Sequence, residues 1–436
     1  MNRKGLLSTI LISCMTINLV SCGGKGDNKE DELSPTDNTS KIIVQVERPW
    51  IPYYNQVKDR VLKEYPKATI DFIEVGSFDH LDALDKTDAT NPDIADVFAL
   101  PADRLYGLAN NNMLAPIDSK TMAEKVGGFK RFDEGLGGNF KINNEYLAFP
   151  YNIETLIVYL NKENAETAGI DINKNIEFTD LDFGEMLVAA HDAWFGVGFA
   201  NSANFEFLEK SNDDKLSTDG TRAWADLTED QKNLFTALYN YWKPHYENKT
   251  NLWDKDAAGG YLDAQFSAKD GAAIRIDGPW ATTAMQDKVG ADNLEVIPLS
   301  QIVVNGRALS HWKSGWGLGI NVRCEEDINK MNLAQSFIME IVNPTYAKDL
   351  FNATGKILEN VDPSAFDGIG GINEKVIKAT YASYEGAVSR PLFIEYGKVW
   401  DTWQNALLSW SSQKPASAEE AYKQVQASFQ SMMSSY

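Results

Sequence analysis

Residues 41–75 read KIIVQVERPWIPYYNQVKDRVLKEYPKATIDFIEV, and this stretch decides the predicted fold. The β-branched run Ile42–Val46 predicts a strand, and Tyr53–Tyr65 predicts a helix because its apolar residues recur at helical spacing. Thr69–Val75 and Ile94–Leu100 predict two further strands. Strands that alternate with helices predict an α/β fold with a parallel sheet and right-handed crossovers. In such sheets ligands bind beyond the carboxyl ends of the strands.

The chain has 436 residues, which is longer than the usual length of a domain with a single hydrophobic core. We therefore expect a second lobe. It predicts helices at Phe183–Trp194 and Glu229–Trp242, and strands at Ala272–Ile276 and Gly315–Ile320. The C-terminal part predicts helices at Asp327–Ile341, Thr345–Phe351, Glu374–Tyr384, Phe393–Trp410 and Ala418–Met432.

The chain is strongly acidic, with 41 Lys and Arg against 62 Asp and Glu and a formal charge of −21. Nucleic acid is excluded as a partner, and so is direct binding to anionic lipid, because like charges repel and no counterion release compensates. Neutral or cationic partners remain. The sequence also contains 11 Trp.

The N-terminus has the order of a secretory signal, with basic residues at 3 and 4, an apolar run at 5–20 and a small residue at 21. Its end, Leu-Val-Ser-Cys at 19–22, resembles a bacterial lipobox, which implies a signal peptide at 1–21 and lipidation of Cys22. Residues 22–40 are poor in large apolar side chains and predict a flexible tether. Only Cys324 then remains in the folded body, so no internal disulfide is expected.

Catalytic and cofactor motifs are missing from the sequence. Its four histidines show no metal-ligand spacing, and no phosphate-binding or dinucleotide-binding glycine loop is present. The acidic loop at Ser211–Asp219 lacks the oxygen spacing of a calcium loop. We therefore expect no cofactor, no metal and no enzymatic activity.

Three stretches share a family pattern: DVFALPADRLYGLANNNMLAPID (96–118), YLAFPYNIETLIVYLNK (146–162) and GAAIRIDGPW (271–280). Together with Gly317–Asn321 and Ser389-Arg390-Pro391, they resemble bacterial extracellular solute-binding proteins of ABC transporters, in the maltose-binding and oligosaccharide-binding branch. The resemblance covers nearly all of 41–436. It implies a two-lobed type II periplasmic-binding-protein fold, with a mostly parallel sheet in each lobe and a hinge between the lobes. The implied N-terminal lobe is 41–152 with 301–355, and the C-terminal lobe is 153–300 with 356–436.

The same resemblance implies a sugar site. Asp103, Arg104 and Glu154 would supply hydrogen bonds, and Trp280 and Trp400 would supply aromatic platforms on which the apolar face of a sugar ring packs. Asp103 could instead cap a helix and Arg104 could form a surface ion pair. Large aromatic residues usually pack in the core, and Trp403 and Trp410, on the same helix as Trp400, could be the packed ones. Trp50 and Glu47, at the end of the first strand, are further candidates.

One position departs from the pattern, because Leu100 stands where the maltose-binding branch has an aromatic residue. Tyr106, Tyr151 or Trp316 could replace the missing stacking wall. The departure puts maltodextrin itself in question and leaves an oligosaccharide or a similar polyol as the expected ligand.

The predicted function is that of an exported, lipid-anchored receptor that passes a carbohydrate, expected to be an oligosaccharide, to ABC permease subunits. It would act as a monomer and touch the bacterial cell membrane only through Cys22. Two alternatives stay open: a receptor of the same fold for another small solute, and an exported glycoside-active enzyme that uses Asp103 and Glu154 as paired carboxylates.

Overall fold

A computed structural model describes residues 32–211 and 213–436 of the chain. The predicted signal peptide, the lipidation site at Cys22 and residues 22–31 of the predicted tether lie outside the described residues. Within the described ranges, no helix combines the length and the apolar character that crossing a bilayer requires.

The described residues form a mixed α/β structure. Its strands are β1 (Lys41–Val46), β2 (Thr69–Glu74), β3 (Val97–Pro101), β4 (Lys141–Ile142), β5 (Glu145–Tyr146), β6 (Phe149–Glu154), β7 (Ile157–Asn161), β8 (Ile176–Glu177), β9 (Met186–Leu187), β10 (Glu209–Lys210), β11 (Leu216–Ser217), β12 (Ile274–Asp277), β13 (Leu294–Pro298), β14 (Ile302–Val304), β15 (Arg307–Ala308), β16 (Trp312–Ile320) and β17 (Val388–Ser389). Its helices are α1 (Ile51–Glu64), α2 (Ser77–Leu84), α3 (Leu105–Asn110), α4 (Ser119–Val126), α5 (Leu136–Asn139), α6 (Lys162–Ala168), α7 (Ala193–Ser202), α8 (Glu229–Glu247), α9 (Ala258–Ser267), α10 (Thr282–Val289), α11 (Ile328–Ile341), α12 (Ala347–Thr354), α13 (Gly371–Glu385), α14 (Gly397–Leu408), α15 (Trp410–Gln413) and α16 (Ala418–Met433).

The first sheet has the strand order β17-β16-β3-β1-β2, and β6 also pairs with β16. β1 runs parallel to both β2 and β3, as the alternation of strands and helices predicts. β16 runs antiparallel to β3 and to β6, and it carries the chain back from the second half of the molecule. The carboxyl ends of β1, β2 and β3 therefore lie at one edge of this sheet.

The second sheet has the order β13-β7-β12-β9, and here the prediction of a mostly parallel sheet is wrong. β7 pairs antiparallel with both β12 and β13, and only β12 and β9 are parallel. The reason lies in the connections. β7 continues directly from β6, which belongs to the first sheet. β13 then pairs antiparallel with β7, and Pro298 lies opposite Ile157 at the start of β7.

One predicted helix is also wrong. Phe183–Trp194 contains the short strand β9, because Gly184 adopts a left-handed φ of +87° that interrupts a helix. The helix of this region, α7, begins only after Asp192, whose carboxylate accepts a hydrogen bond from the backbone N–H of Trp194. The predicted helices near Glu229, Asp327 and Ala418 are confirmed within a few residues by α8, α11 and α16.

Buried apolar side chains form two clusters. The first joins β1–β3 to α1, α11 and α12, and the second packs around α7, α8, α14 and α16. Ile302, Val304 and Leu309 belong to the second cluster, although we predicted them in the N-terminal lobe. They do so because β14 pairs in parallel with β8. The other lobe boundaries stay predictions.

The predicted tether is too long at its C-terminal end. The Asn38 side chain is 1% exposed and donates a 2.7 Å hydrogen bond to the carbonyl of Asn329 in α11. The backbone N–H of Leu33 donates to Asn329 Oδ1 at 2.8 Å. Residues 33–40 are thus attached to the first lobe, and the folded body begins before Lys41.

Candidate ligand-binding site

The carboxyl ends of β1 and β2 place a carboxylate and an aromatic ring side by side. Glu47 accepts hydrogen bonds from the Ser77 backbone N–H at 3.2 Å and from the Ser77 hydroxyl at 2.7 Å. Phe78 is 59% exposed, and its ring meets the Trp316 ring edge-on with centroids 5.1 Å apart. This edge of the first lobe therefore offers a positioned hydrogen-bond acceptor and an uncovered aromatic surface.

Trp50 lies in the same region but is only 7% exposed. Its ring stacks against Tyr54, with centroids 6.3 Å apart. The ammonium of Lys356 lies 4.8 Å from the centre of the Trp50 ring. The predicted site residue Trp50 thus contacts other protein side chains in this structure and exposes little of its ring.

The floor between the two halves is built where β6 pairs with β16. Trp316 lies opposite Asn152 in this pairing, and its indole N–H donates a 3.0 Å hydrogen bond to Glu154 Oε2. Lys356 donates a 3.2 Å hydrogen bond to Asn152 Oδ1. Ile357, next to Lys356, forms a single bridge with Ile153. Two chain crossings therefore bring one carboxylate and one ammonium to the same floor.

Burial disfavours the charged forms of the two ionisable groups on this floor, Glu154 and Lys356. Burial raises the pKa of Glu154, and the nearby Lys356 charge, the Trp316 hydrogen bond and Arg390 counteract that shift. Burial lowers the pKa of Lys356, and the carboxylates of Glu154 and Glu47 counteract it. Because each charged form loses solvation, further hydrogen bonds from a ligand would stabilise both groups.

Asp103 and Arg104 are adjacent in sequence, but their side chains have different partners. Asp103, on the short turn after β3, forms an ion pair of 3.2 Å with Arg390. Arg104 instead pairs with Asp85 and Asp82 of α2. Asp103 therefore faces the cleft between the two halves, where it contacts Arg390. The Arg104 guanidinium instead contacts the acidic side chains at α2 of the first lobe.

Arg390 connects the two halves of the site. Its side chain is 3% exposed, and Nη1 donates a 2.6 Å hydrogen bond to Ser314 Oγ on β16. Its guanidinium lies 5.3–5.8 Å from the ring centres of Trp194, Trp312 and Trp400. A buried arginine held by rings and a hydroxyl on one side thus reaches the Asp103 carboxylate on the other.

Of the two predicted platforms, Trp280 is the more accessible. It is 48% exposed, and its ring lies over Gly278, where a Cβ atom would fall within about 2.0 Å of the indole. Trp194 is its aromatic neighbour, with centroids 6.3 Å apart. Trp400 is half-buried and meets Trp312 edge-on at 5.9 Å.

The other two tryptophans of this C-terminal region, Trp403 and Trp410, are fully buried and belong to the core. These two rings are therefore the packed ones, as the sequence allowed.

Several residues of the site were missed by the sequence reasoning. Phe78 follows β2, and the rule that ligands lie beyond strand ends would have pointed to it. No sequence pattern identified Lys356 as a site residue. It lies next to Ile357, where the chain crosses between the two halves. Of the three candidates for the missing wall at Leu100, Tyr151 and Trp316 are buried and Tyr106 is partly exposed.

No group of three or more His, Cys, Asp or Glu within the described ranges has a metal-binding arrangement. A cavity of about 860 Å³ lies elsewhere, between α1, α4 and α11, and none of the predicted site residues lines it. We propose the cleft between the two halves as the site, because the Asp103 carboxylate, the buried Arg390 and the accessible Trp280 ring lie there in one series of contacts.

The chain is similar to known solute-binding proteins. A family model described as bacterial extracellular solute-binding protein matches residues 57–367. The maltodextrin-binding protein MdxE of Bacillus subtilis is 22% identical over 437 residues, which cover 96% of this chain and 95% of that protein.

Solved structures show the same architecture. The maltose-binding protein MalE from Listeria monocytogenes, in complex with maltose, matches with a TM-score of 0.68 and 19% identity, over 92% of this chain and 100% of that one. MalX from Streptococcus pneumoniae, in complex with maltopentaose, matches with a TM-score of 0.66 and 19% identity, over 89% and 99%. The predicted two-lobed type II fold is thereby confirmed.

Proposed function

The chain belongs to the bacterial extracellular solute-binding protein family, and from this we propose that it is the substrate-binding subunit of an ABC importer. Its ligand is an oligosaccharide of the maltodextrin type, captured in the cleft between the lobes and delivered to a membrane permease. Relatives named for maltodextrin binding, together with the polar and aromatic groups of the cleft, support this ligand class.

The observation that carries the proposal is a continuous chain of contacts from Asp103 to Trp280. The Asp103 carboxylate pairs with Arg390, the Arg390 guanidinium packs on Trp194, and Trp194 contacts the exposed Trp280. A sugar has hydroxyls at its edge and an apolar face, so it needs charged hydrogen-bonding groups beside an aromatic surface. This chain of contacts supplies both on one surface that joins the two lobes.

Replacing Trp280 with alanine tests the platform. We expect Trp280→Ala to weaken binding of maltotetraose by about 10-fold, because the packing of one sugar face on the indole is lost. Isothermal titration with maltose, maltotriose and maltotetraose measures the effect. Trp224→Ala is the matched control, since Trp224 packs on Tyr422 away from the cleft. The proposal fails if the wild-type protein binds none of these sugars.

A receptor must return its ligand unchanged, and we propose that the chain has no enzymatic activity. Both candidate carboxylates are engaged by protein groups, because Asp103 pairs with Arg390 and Glu154 accepts the Trp316 indole N–H. Incubation with the same oligosaccharides followed by measurement of new reducing ends distinguishes the two functions. Any protein-dependent release would favour the enzyme.

The site also suggests how the cleft works. Glu47, Glu154 and Asp103 would accept hydrogen bonds from sugar hydroxyls, and Arg390 would hold Asp103 in place. The crossings at β6, β16 and the segment around Ile357 would act as the hinge on which the lobes close, since a few crossing residues can absorb the dihedral change.

We further propose that the protein is a monomeric lipoprotein held at the membrane by a lipid on Cys22. The lipobox-like sequence at 19–22 supports this, and intact-mass measurement of protein extracted from membranes tests it. A thiol without lipid at Cys22 would contradict it.

A further inference from the structure

Lys356 has an unusual environment for a lysine. Its ammonium lies 4.8, 4.9 and 5.1 Å from the ring centres of Trp50, Tyr151 and Trp316. Three aromatic faces at this distance from one cation form a cage that fixes the cation by electrostatic attraction to the rings. The position of the ammonium on the cleft floor is therefore well defined before any ligand arrives.

The ammonium also has hydrogen-bonding capacity left over. It carries three N–H donors, and its hydrogen bond in this structure goes to Asn152 Oδ1 at 3.2 Å. Within residues 32–211 and 213–436, no carboxylate lies within ion-pair distance of Lys356. The residue as a whole is partly exposed, although burial of its ammonium lowers its pKa.

Glu154 complements these donors. Its Oε2 accepts the Trp316 indole N–H, and Trp316 is also one of the three rings around Lys356. The same indole therefore holds the acceptor and the donor in a fixed relation. A sugar hydroxyl donates one hydrogen bond and accepts others, so a carboxylate beside an ammonium fits two neighbouring hydroxyls of one ring.

We propose that Lys356 and Glu154 form a donor–acceptor pair that binds two adjacent hydroxyls of a single sugar unit on the cleft floor. The inference rests on the proposed function and adds a residue that determines which sugar ring the floor accepts. Because the rings of Trp50, Tyr151 and Trp316 hold the ammonium, the floor recognises the edge of the sugar. Stacking on the sugar face is left to exposed rings outside this cage, such as Trp280.

The opposite role is an outcome of the test. If the side chain merely filled a cage that the sugar needs, truncating it in Lys356→Ala would free three aromatic faces and strengthen binding. If it donates to the sugar, removing it weakens binding. The sign of the change in affinity therefore decides between the two roles.

The experiment compares Lys356→Met with the wild-type protein by isothermal titration against maltotetraose. Methionine keeps the length and apolar character of the side chain and removes the charge. We expect a loss of affinity of about 10-fold or more, because hydrogen bonds from a charged donor are stronger than neutral ones. Lys398→Met is the matched control. Lys398 also lies over an aromatic ring, that of Tyr436 at 4.5 Å, but outside the cleft.

A second variant keeps the inference falsifiable if Lys356→Met folds poorly. In Lys356→Ala, added methylammonium should enter the vacated cage and restore part of the lost affinity. Unchanged or increased affinity in Lys356→Met, or the absence of rescue in Lys356→Ala, would overturn the role of Lys356 while wild-type binding stands. Failure of the wild-type protein to bind any maltodextrin would instead overturn the proposed function.

Discussion

Phe78 is the residue that best replaces the aromatic wall missing at Leu100. Leu100 is fully buried, whereas Phe78 projects from the start of α2 and is supported edge-on by Trp316. We expect Phe78→Ala to weaken maltotetraose binding by about 5- to 10-fold, and Phe78→Tyr to bind nearly as well as the wild type, because the ring face is kept. Titration calorimetry measures both variants.

Phe183→Ala provides the control for this prediction. Phe183 is 49% exposed, much like Phe78, but its ring packs on His245 in the second lobe. Equal losses in the two alanine variants would show that any exposed phenylalanine has this effect and would contradict a stacking role for Phe78.

The sequence motif that contains Asp103 and Arg104 does not determine which partners their side chains contact. The resemblance implied the same role for both, but their side chains leave the turn after β3 in different directions. The partners of Arg104 are Asp82 of α2 and Asp85, the residue that follows this helix, about twenty residues earlier in the chain. Such a partner depends on how α2 packs beside β3, which neither residue type nor spacing records.

Strand β16 is the element that ties the site together, since it carries both Ser314 and Trp316 and pairs with β3 and β6. Gly315 lies between them with very little space. A Cβ atom there would fall 2.1 Å from the Asn152 carbonyl oxygen and 2.8 Å from a methyl group of Leu136. Because the nearest atom belongs to the backbone of β6, the two strands would have to separate.

We therefore expect Gly315→Ala to lower the free energy of unfolding by about 2 kcal/mol, as overpacked positions do, and to weaken sugar binding as well. Chemical unfolding and calorimetry measure the two effects. Gly107→Ala is the control, because Gly107 lies in α3 with open space around its Cα. Helix propensity predicts that this control is as stable as the wild type or about 0.5–1 kcal/mol more stable. A Gly315→Ala variant with unchanged stability would contradict the close approach of β6 and β16.

The elements differ in how far the sequence predicts them. β1, β2 and α1 could be predicted because the pattern of apolar residues within each segment indicates a strand or a helix by itself. The second sheet could not be predicted, because the direction of β7 depends on pairing with β12 and β13 more than one hundred residues later.

The residues of the candidate site differ in the same way. Trp280 could be predicted from its turn, but the cage around Lys356 combines residues from four distant segments.

At the scale of the whole molecule, the hinge region contains a buried acid whose charge affects stability. Both carboxylate oxygens of Glu359 accept the backbone N–H of Leu136, at 3.0 and 3.1 Å. Burial raises the pKa of Glu359 to about 7, and the Leu136 hydrogen bond and the Lys313 charge only partly offset it. Its other neighbours are Tyr381 and Tyr384 of α13, the helix that packs against β13. Glu359 thus contacts elements from both halves of the chain.

This pKa implies that stability decreases as pH rises. In the unfolded chain Glu359 has a pKa of about 4.5, so between pH 4.5 and 7 the folded protein binds a proton that the unfolded chain has released. The free energy of unfolding contributed by this group is fully present below that window. It is lost above the window, because folding then requires a buried charge.

Glu359→Gln keeps a neutral group of the same size and should remove this pH dependence. We expect the variant to be more stable than the wild type by less than about 1 kcal/mol at pH 5 and by up to about 3 kcal/mol at pH 8. Urea unfolding from pH 5 to 8 measures the difference. The control is Glu326→Gln at an exposed position, which should follow the wild-type curve throughout. If Glu359→Gln loses stability with pH as steeply as the wild type, the buried carboxyl is not the group that titrates, and the pH dependence must come from elsewhere in the molecule.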